Sequence, residues 1–166
     1  TVTNVPSSVC LSEAGASLGE ATLDWRQFGD DGGVTPVQKI NGNIINSVSF
    51  RTPGIFSDYQ SRLSYYDGLE LGAHTGTTKG TCTPGLITIN LDVTTDTKHV
   101  ILYTGAWKAT NTVEVYNRAG ELIAQSESFT AGSSAVNKVV TIALEVTKND
   151  SIVIFIRSSN ENGGNV

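Results

Sequence analysis

An all-β fold, with two sheets packed as a β-sandwich, is what this 166-residue sequence predicts, and three observations predict it. Apolar and polar residues alternate through most of the second half, the period of a half-buried strand. No apolar repeat at 3.6 residues persists for three turns. Thr, Val and Ile are dense, which disfavours long helices. The length fits one domain, residues 1–166, with 1–11 readable as an extended N-terminal arm.

In the first half, strands are expected near 21–28, 34–40, 44–51 and 61–66, separated by glycine-rich turns at 29–33, 41–43 and 52–57. Within "TLDWRQFGDDGG", Leu23 and Trp25 share one face and start the core, while residues 30–33 turn the chain toward Val34. Residues 67–80 read as a long Gly- and Thr-rich connection, either a recognition loop or a crossover between sheets. The second half is more regular. In "LITINLDVT", Ile87, Ile89, Leu91 and Val93 oppose Thr88, Asn90 and Asp92, and in "KHVILYTG" Val100 and Leu102 oppose His99, Ile101 and Tyr103. "TVEVYNRAGELIAQSES" reads as a hairpin around Asn117 to Gly120, and "VVTIALEVTKNDSIVIFIRSS" as another around Lys148 to Asp150. The total is about nine or ten strands, enough for two packed sheets.

Composition removes several function classes. The net charge is −5 and no basic stripe is present, so nucleic acid is not an expected partner. The longest apolar run, "SIVIFI", has strand length, so membrane insertion is not expected either. The chain opens on Thr1 and has no Met, which suggests a removed leader or a module cut from a longer protein; both point to export, to an extracellular or cell-surface location. Cys10 and Cys82 are too far apart in sequence to form a close-spaced metal clip. In a secreted chain they suit a disulfide, which on a loop-entropy estimate would constrain the unfolded state by about 4 kcal/mol. Two separate buried thiols are the alternative.

Candidate chemistry is sparse. "GASLG" (15–19) has the G-x-S-x-G spacing of a nucleophile elbow but lacks the strand before it and the helix after it. His74 and His99 are the only imidazoles, one in the long loop and one on a strand, and they do not define a triad. Asp58 and Asp67 could form a glycosidase pair, yet both sit in turn-like contexts. Asp30 and Asp31 are candidate ligands for a structural Ca²⁺, the one cofactor the sequence raises. Aromatic residues make the better case. "SDYQSRLSYYDG" gathers Tyr59, Arg62, Tyr65, Tyr66 and Asp67, rings for a sugar's C–H face beside polar groups for its hydroxyls. Adjacent strand residues point to opposite faces, so Tyr65 and Tyr66 cannot both be core. Trp107 joins them as a candidate, at a strand end where it either caps the core or displays its ring. Asn149-Asp150-Ser151 matches an N-glycosylation sequon.

Several segments, in this order, resemble a bacterial secreted and surface module of galactose-binding-like jelly-roll type, a carbohydrate-binding-module-like family. "LDWRQFG" is similar to its Asp-Trp entry strand, "VTPVQKING" to the next strand and "LSYYDGLELGAHTGTTKG" to its aromatic-x-Asp-Gly segment and Thr/Gly loop. "ILYTGAWKAT" looks like its strand ending in Gly-aromatic, and "SSNENGGNV" like the approach to its last strand. The resemblance covers most of the chain after about residue 11. It implies a jelly-roll sandwich, a non-catalytic module, a glycan partner, and mainly structural roles for Trp25 and Trp107. The family pattern continues into a final apolar strand after "GGNV". A sandwich lacking that strand would present an open slot, fillable by a strand from another molecule, with "TVTNVPSSV" a conceivable donor. The primary expectation is therefore an extracellular glycan-binding module. A fibre subunit assembled by strand exchange is the alternative, and a glycoside-active enzyme is third.

Overall fold

The computed structural model describes residues 1–29, 35–56, 61–69, 72–77 and 80–159. The N-terminal strands β1 (Val2–Asn4) and β2 (Ser8–Cys10) precede two single 3₁₀ turns, Leu11–Glu13 and Ala16–Leu18. Then come β3 (Arg26–Gln27), β4 (Val37–Gln38), β5 (Ile45–Phe50), β6 (Gly54–Phe56), β7 (Arg62–Gly68), β8 (Gly72–Thr77) and β9 (Gly80–Cys82). The regular half follows: β10 (Leu86–Val93), β11 (His99–Ala106), β12 (Ala109–Tyr116), β13 (Leu122–Gln125), β14 (Phe129–Ala131), β15 (Val136–Ala143) and β16 (Asp150–Ser158). The all-β expectation holds.

Two antiparallel sheets form the sandwich. One runs β13-β12-β16-β10-β5, with β14 also paired to β12, and the other runs β1-β15-β11. They close on one apolar core, because the alternating faces read from the sequence all turn inward. Ile87, Ile89, Leu91 and Val93 of β10 and Ile152, Ile154 and Ile156 of β16 meet Val140 and Ile142 of β15, with Val100 and Leu102 of β11 packed against them. At the β11–β15 contact, a Cβ on Gly105 would lie 2.5 Å from Asn137 Oδ1 and 2.9 Å from the Val136 carbonyl, so only glycine lets the strands approach there.

The structure corrects four expectations. The hairpin around Asn117–Gly120 forms, as β12 with β13, but that around Lys148–Asp150 does not. β15 pairs with β11 while β16 pairs with β10 and β12, so this connection crosses from one sheet to the other. Each of the two strands carries an apolar face, and placing them in opposite sheets buries both. The connection 67–80, read as a loop, contains β8, which pairs with β7. The strands expected at 21–28 and 34–40 shorten to β3 and β4. In this region Asp24 takes over ladder work with its side chain, accepting from the Ile44 and Ile45 N–H groups at 3.0 and 2.8 Å. Arg26 likewise donates to the Ile45 carbonyl. Finally, Cys10 and Cys82 are separate free thiols, not a disulfide: one ends β2 beside β7, the other ends β9 beside β6.

The N-terminal arm is not loose. Val2, Thr3 and Asn4 pair with Val140, Val139 and Lys138, and the Thr1 ammonium donates to the Thr141 carbonyl at 2.6 Å. A second, smaller cluster of Leu11, Trp25, Val37 and Tyr65 lies beside the sandwich, with Tyr103 of β11 packed against it. Leu23 does not enter the core with Trp25 but remains 39% exposed. The "GASLG" serine sits in a single 3₁₀ turn and not in an elbow between strand and helix.

Candidate functional site

β7 carries most of the sequence-nominated residues, and its alternation sorts them. Leu63 and Tyr65 point inward, while Arg62 and Tyr66 are exposed. Tyr65, nominated as a ligand residue, is therefore a core residue: it is 2% exposed and its ring lies 4.7 Å from that of Trp25, tilted by 32°. Tyr66 is 57% exposed and is the ring that β7 displays.

Asp67 is committed to the fold. Its Oδ1 accepts from the Trp25 indole Nε1 at 2.8 Å and from the Ser12 hydroxyl, and its Oδ2 pairs with Lys39 Nζ at 2.6 Å. Burial pushes this carboxyl up, but the hydrogen bonds from Lys39, Ser12 and Trp25 outweigh it and hold the group below the usual carboxylate range. Such a group stays ionised at neutral pH and has no proton to give. The same Ser12 oxygen accepts from the Tyr66 N–H at 3.0 Å, so the buried network also fixes the backbone beneath the exposed ring.

The Tyr66 hydroxyl donates to Glu13 Oε1 at 3.3 Å. Desolvation, and then the charge of Glu13, raise the phenol above its ordinary value. The outward side of β7 thus offers a ring, a carboxylate and the Arg62 guanidinium. Sequence reasoning missed Glu13, Ser12 and Lys39. Ser12 and Lys39 lie 55 and 28 positions from Asp67, Glu13 lies 53 from Tyr66, and no local pattern joins them.

Trp107 stands on a different element, the corner between β11 and β12, where Lys108 has φ 50°. Its indole donates to the Ser133 carbonyl at 3.1 Å, and the Lys108 ammonium sits 4.5 Å from the ring centroid. The ring is 41% exposed. Among the described residues no hydrogen bond or ring contact joins Trp107 to Tyr66.

Tyr59, the calcium candidates Asp30 and Asp31, and Asp58 lie outside the described residues. Among the described residues no group of three or more His, Cys, Asp or Glu side chains converges as a metal site would require. His99 Nδ1 is 2.8 Å from Glu20 Oε1, a contact made at the start of β11. Also among the described residues, no helix is long and apolar enough to cross a membrane.

A cavity of about 230 Å³ opens beside β11. Its lining includes Phe50 of β5, Ile89 of β10 and Leu102 of β11, with Leu23 and Phe28 from the segment before β4.

No protein-family model matches the chain, and no curated protein matches it in sequence. Among solved structures, it is similar to that of the CBM51-2 and INT domains from Clostridium perfringens ZmpB, with 13% identity, a TM-score of 0.41 and 76% of this chain covered. It is also similar to the enzymatically active domain of tailspike protein 4 from Bacteriophage CBA120, with 11% identity, a TM-score of 0.33 and 72% of this chain covered. The chain spans 29% and 17% of those two structures' own lengths.

Proposed function

We propose that this chain is a non-catalytic, extracellular glycan-binding module whose ligand lies on the outward side of β7. The observation that carries the reading is Tyr66, a 57% exposed ring whose backbone N–H is held by Ser12 and whose hydroxyl donates to Glu13, with Arg62 exposed on the same strand. A sugar's C–H face stacks on such a ring, while a carboxylate and a guanidinium take its hydroxyls; a ring already in place loses little freedom on binding. The commitment of Asp67 to three donors removes it as a general acid, which must hold a proton at working pH. Calcium, in this reading, is held by Asp30 and Asp31, and chelation of a calcium-loaded sample would lower the melting temperature.

The test is titration calorimetry against a panel of neutral and acidic oligosaccharides, with Tyr66→Ala and Trp107→Ala beside the wild type. The expected result is a wild-type binder whose affinity falls about tenfold in Tyr66→Ala, a loss of roughly 1.4 kcal/mol, and changes less in Trp107→Ala. Binding to no member of the panel, or equal binding by Tyr66→Ala, would remove the proposal.

A further inference from the structure

Strands β12, β16 and β10 present a second face, turned away from the core. Val113, Val115, Ile87, Ile89, Ile154 and Ile156 point inward and are buried, while the residues between them point out. None of the outward residues of these three strands is buried, so the face is open to solvent. Register sets these residues in rows. Glu114 lies opposite Phe155 and Phe155 opposite Thr88; in the next row Tyr116 lies opposite Val153, Val153 opposite Asn90 and Asn90 opposite Ser47. With neighbouring strands about 4.8 Å apart, the second row covers about 14 Å.

The polar groups of this face are held in place around its rings. Tyr116 and Phe155 meet edge to face with centroids 5.6 Å apart, and the Arg157 guanidinium lies over the Phe155 ring at 4.7 Å. Arg157 Nε and the Tyr116 hydroxyl both donate to Glu114 Oε2, and Asn90 Nδ2 donates to Ser47 Oγ at 2.9 Å. These bonds orient the side chains without exhausting them. A guanidinium has five N–H donors and a carboxylate two acceptor oxygens, so Arg157 and Glu114 each keep capacity for a ligand.

The chemistry of the face selects among partners. Each of the three strands is paired on both sides, so the main chain is already engaged and strand addition is excluded. Arg157 and Glu114 cancel in charge, which gives a polyanion no attraction. Protein partners are anchored by side chains seated in pockets, whereas this face is an open strand surface of rings bordered by donors and acceptors. A neutral sugar presents the matching surfaces: C–H faces for the apolar side chains, and hydroxyls that both donate and accept.

We infer that the outer face of β12, β16 and β10 is a second glycan-binding surface, which takes a neutral linear oligosaccharide lying across the strands. Its C–H faces pack on Tyr116 and Val153, and its hydroxyls meet Arg157, Glu114 and Asn90. Phe155 is the support that orients Arg157 and Tyr116. The inference does not rest on the Tyr66 side of β7, so the two sites succeed or fail separately.

The test is methyl NMR on the full chain, with Val153 as the reporter at the centre of the face and the fully buried Val140 as the control. The probes are cellohexaose, mannohexaose and xylohexaose, their disaccharides, and hexagalacturonate. At least one neutral hexasaccharide is expected to shift the Val153 methyls saturably, more tightly than its disaccharide, and to leave Val140 in place. Arg157→Ala is expected to weaken that titration about tenfold, the loss of a charge-assisted hydrogen bond, while Tyr66→Ala leaves it unchanged. If Arg157→Ala does not fold, Glu114→Gln, which keeps the shape of the side chain, decides in its place. No Val153 shift with any neutral hexasaccharide overturns the proposal, and so does an equal titration by the Arg157 or Glu114 variant. Loss of the shift in Tyr66→Ala overturns it by assigning the effect to β7, and a response to hexagalacturonate alone overturns it by assigning the face to an anion. Val153 shifts that grow with protein concentration without sugar also overturn it, as they assign the face to a second copy of the chain.

Discussion

The sandwich core and the cluster around Trp25 bury their residues by different means. In the first, long strands supply one apolar face each, and cohesion is spread over many equivalent aliphatic contacts. In the second, among the described residues, four buried hydrophobic residues meet from four separate segments, and the Asp67 carboxylate ties the other three to β7 by hydrogen bonds. A distributed core loses stability in proportion to what is deleted. A hub fails when its one shared group is removed. The candidate glycan side of β7 rests on the hub.

The largest effect is expected in the distributed core. Ile154 is fully buried in β16, between β10 and β12. Ile154→Ala removes three carbons where the surrounding strands cannot collapse, and a loss of about 3–5 kcal/mol is expected in urea unfolding. Every probe of structure should report the same transition.

Asp67→Ala comes next, at roughly 2–3 kcal/mol, because it leaves the Lys39, Trp25 and Ser12 donors without their acceptor. Its signature is local: Trp25 fluorescence should change at denaturant concentrations where the far-ultraviolet β signal persists. The pH dependence follows from the depressed carboxyl. A group held below its unfolded value contributes in full above that value, near pH 4, and loses the contribution as pH falls through the folded value. Wild-type stability should therefore fall in acid more steeply than that of Asp67→Ala. Parallel acid profiles would remove Asp67 from its place as the hub.

A smaller change isolates one spoke. Trp25→Phe keeps a ring against Tyr65 but deletes the indole N–H that reaches Asp67. About 1–1.5 kcal/mol is expected, measured by thermal unfolding, with Lys39 and Ser12 still in place.

The same contrast explains what the sequence could disclose. Period-two alternation announced β10 and β16 because the information lies within each strand: the residue two places on repeats the face. It could not say that β15 and β16 belong to different sheets, since a hairpin and a crossover have the same alternation on either side of their connection. The hub was less legible still. Trp25 and Asp67 stand out in their own windows and Lys39 does not, and only the tertiary fold brings the three together. Of the tyrosine pair, alternation established only that both cannot be core; which of them turns inward depends on where Trp25 lies.

The smallest effect is expected at Arg157 and Glu114, on the outer face of β16 and β12. Arg157 Nε lies 2.6 Å from Glu114 Oε2, the guanidinium stands 4.7 Å from the centroid of the Phe155 ring, and the Tyr116 hydroxyl donates to the same carboxylate at 3.0 Å. The hydrogen bond from Arg157 holds Glu114 below the usual range against some burial. Yet the Arg157 side chain is 47% exposed, so water and salt screen the pair. Arg157→Ala should cost about 0.5 kcal/mol at low salt and less at 1 M, with Tyr116 still donating to the carboxylate. A loss above about 2 kcal/mol, insensitive to salt, would mean that the outer face of the sandwich also contains a hub, and the division between distributed and concentrated cohesion would no longer follow the boundary between the two clusters.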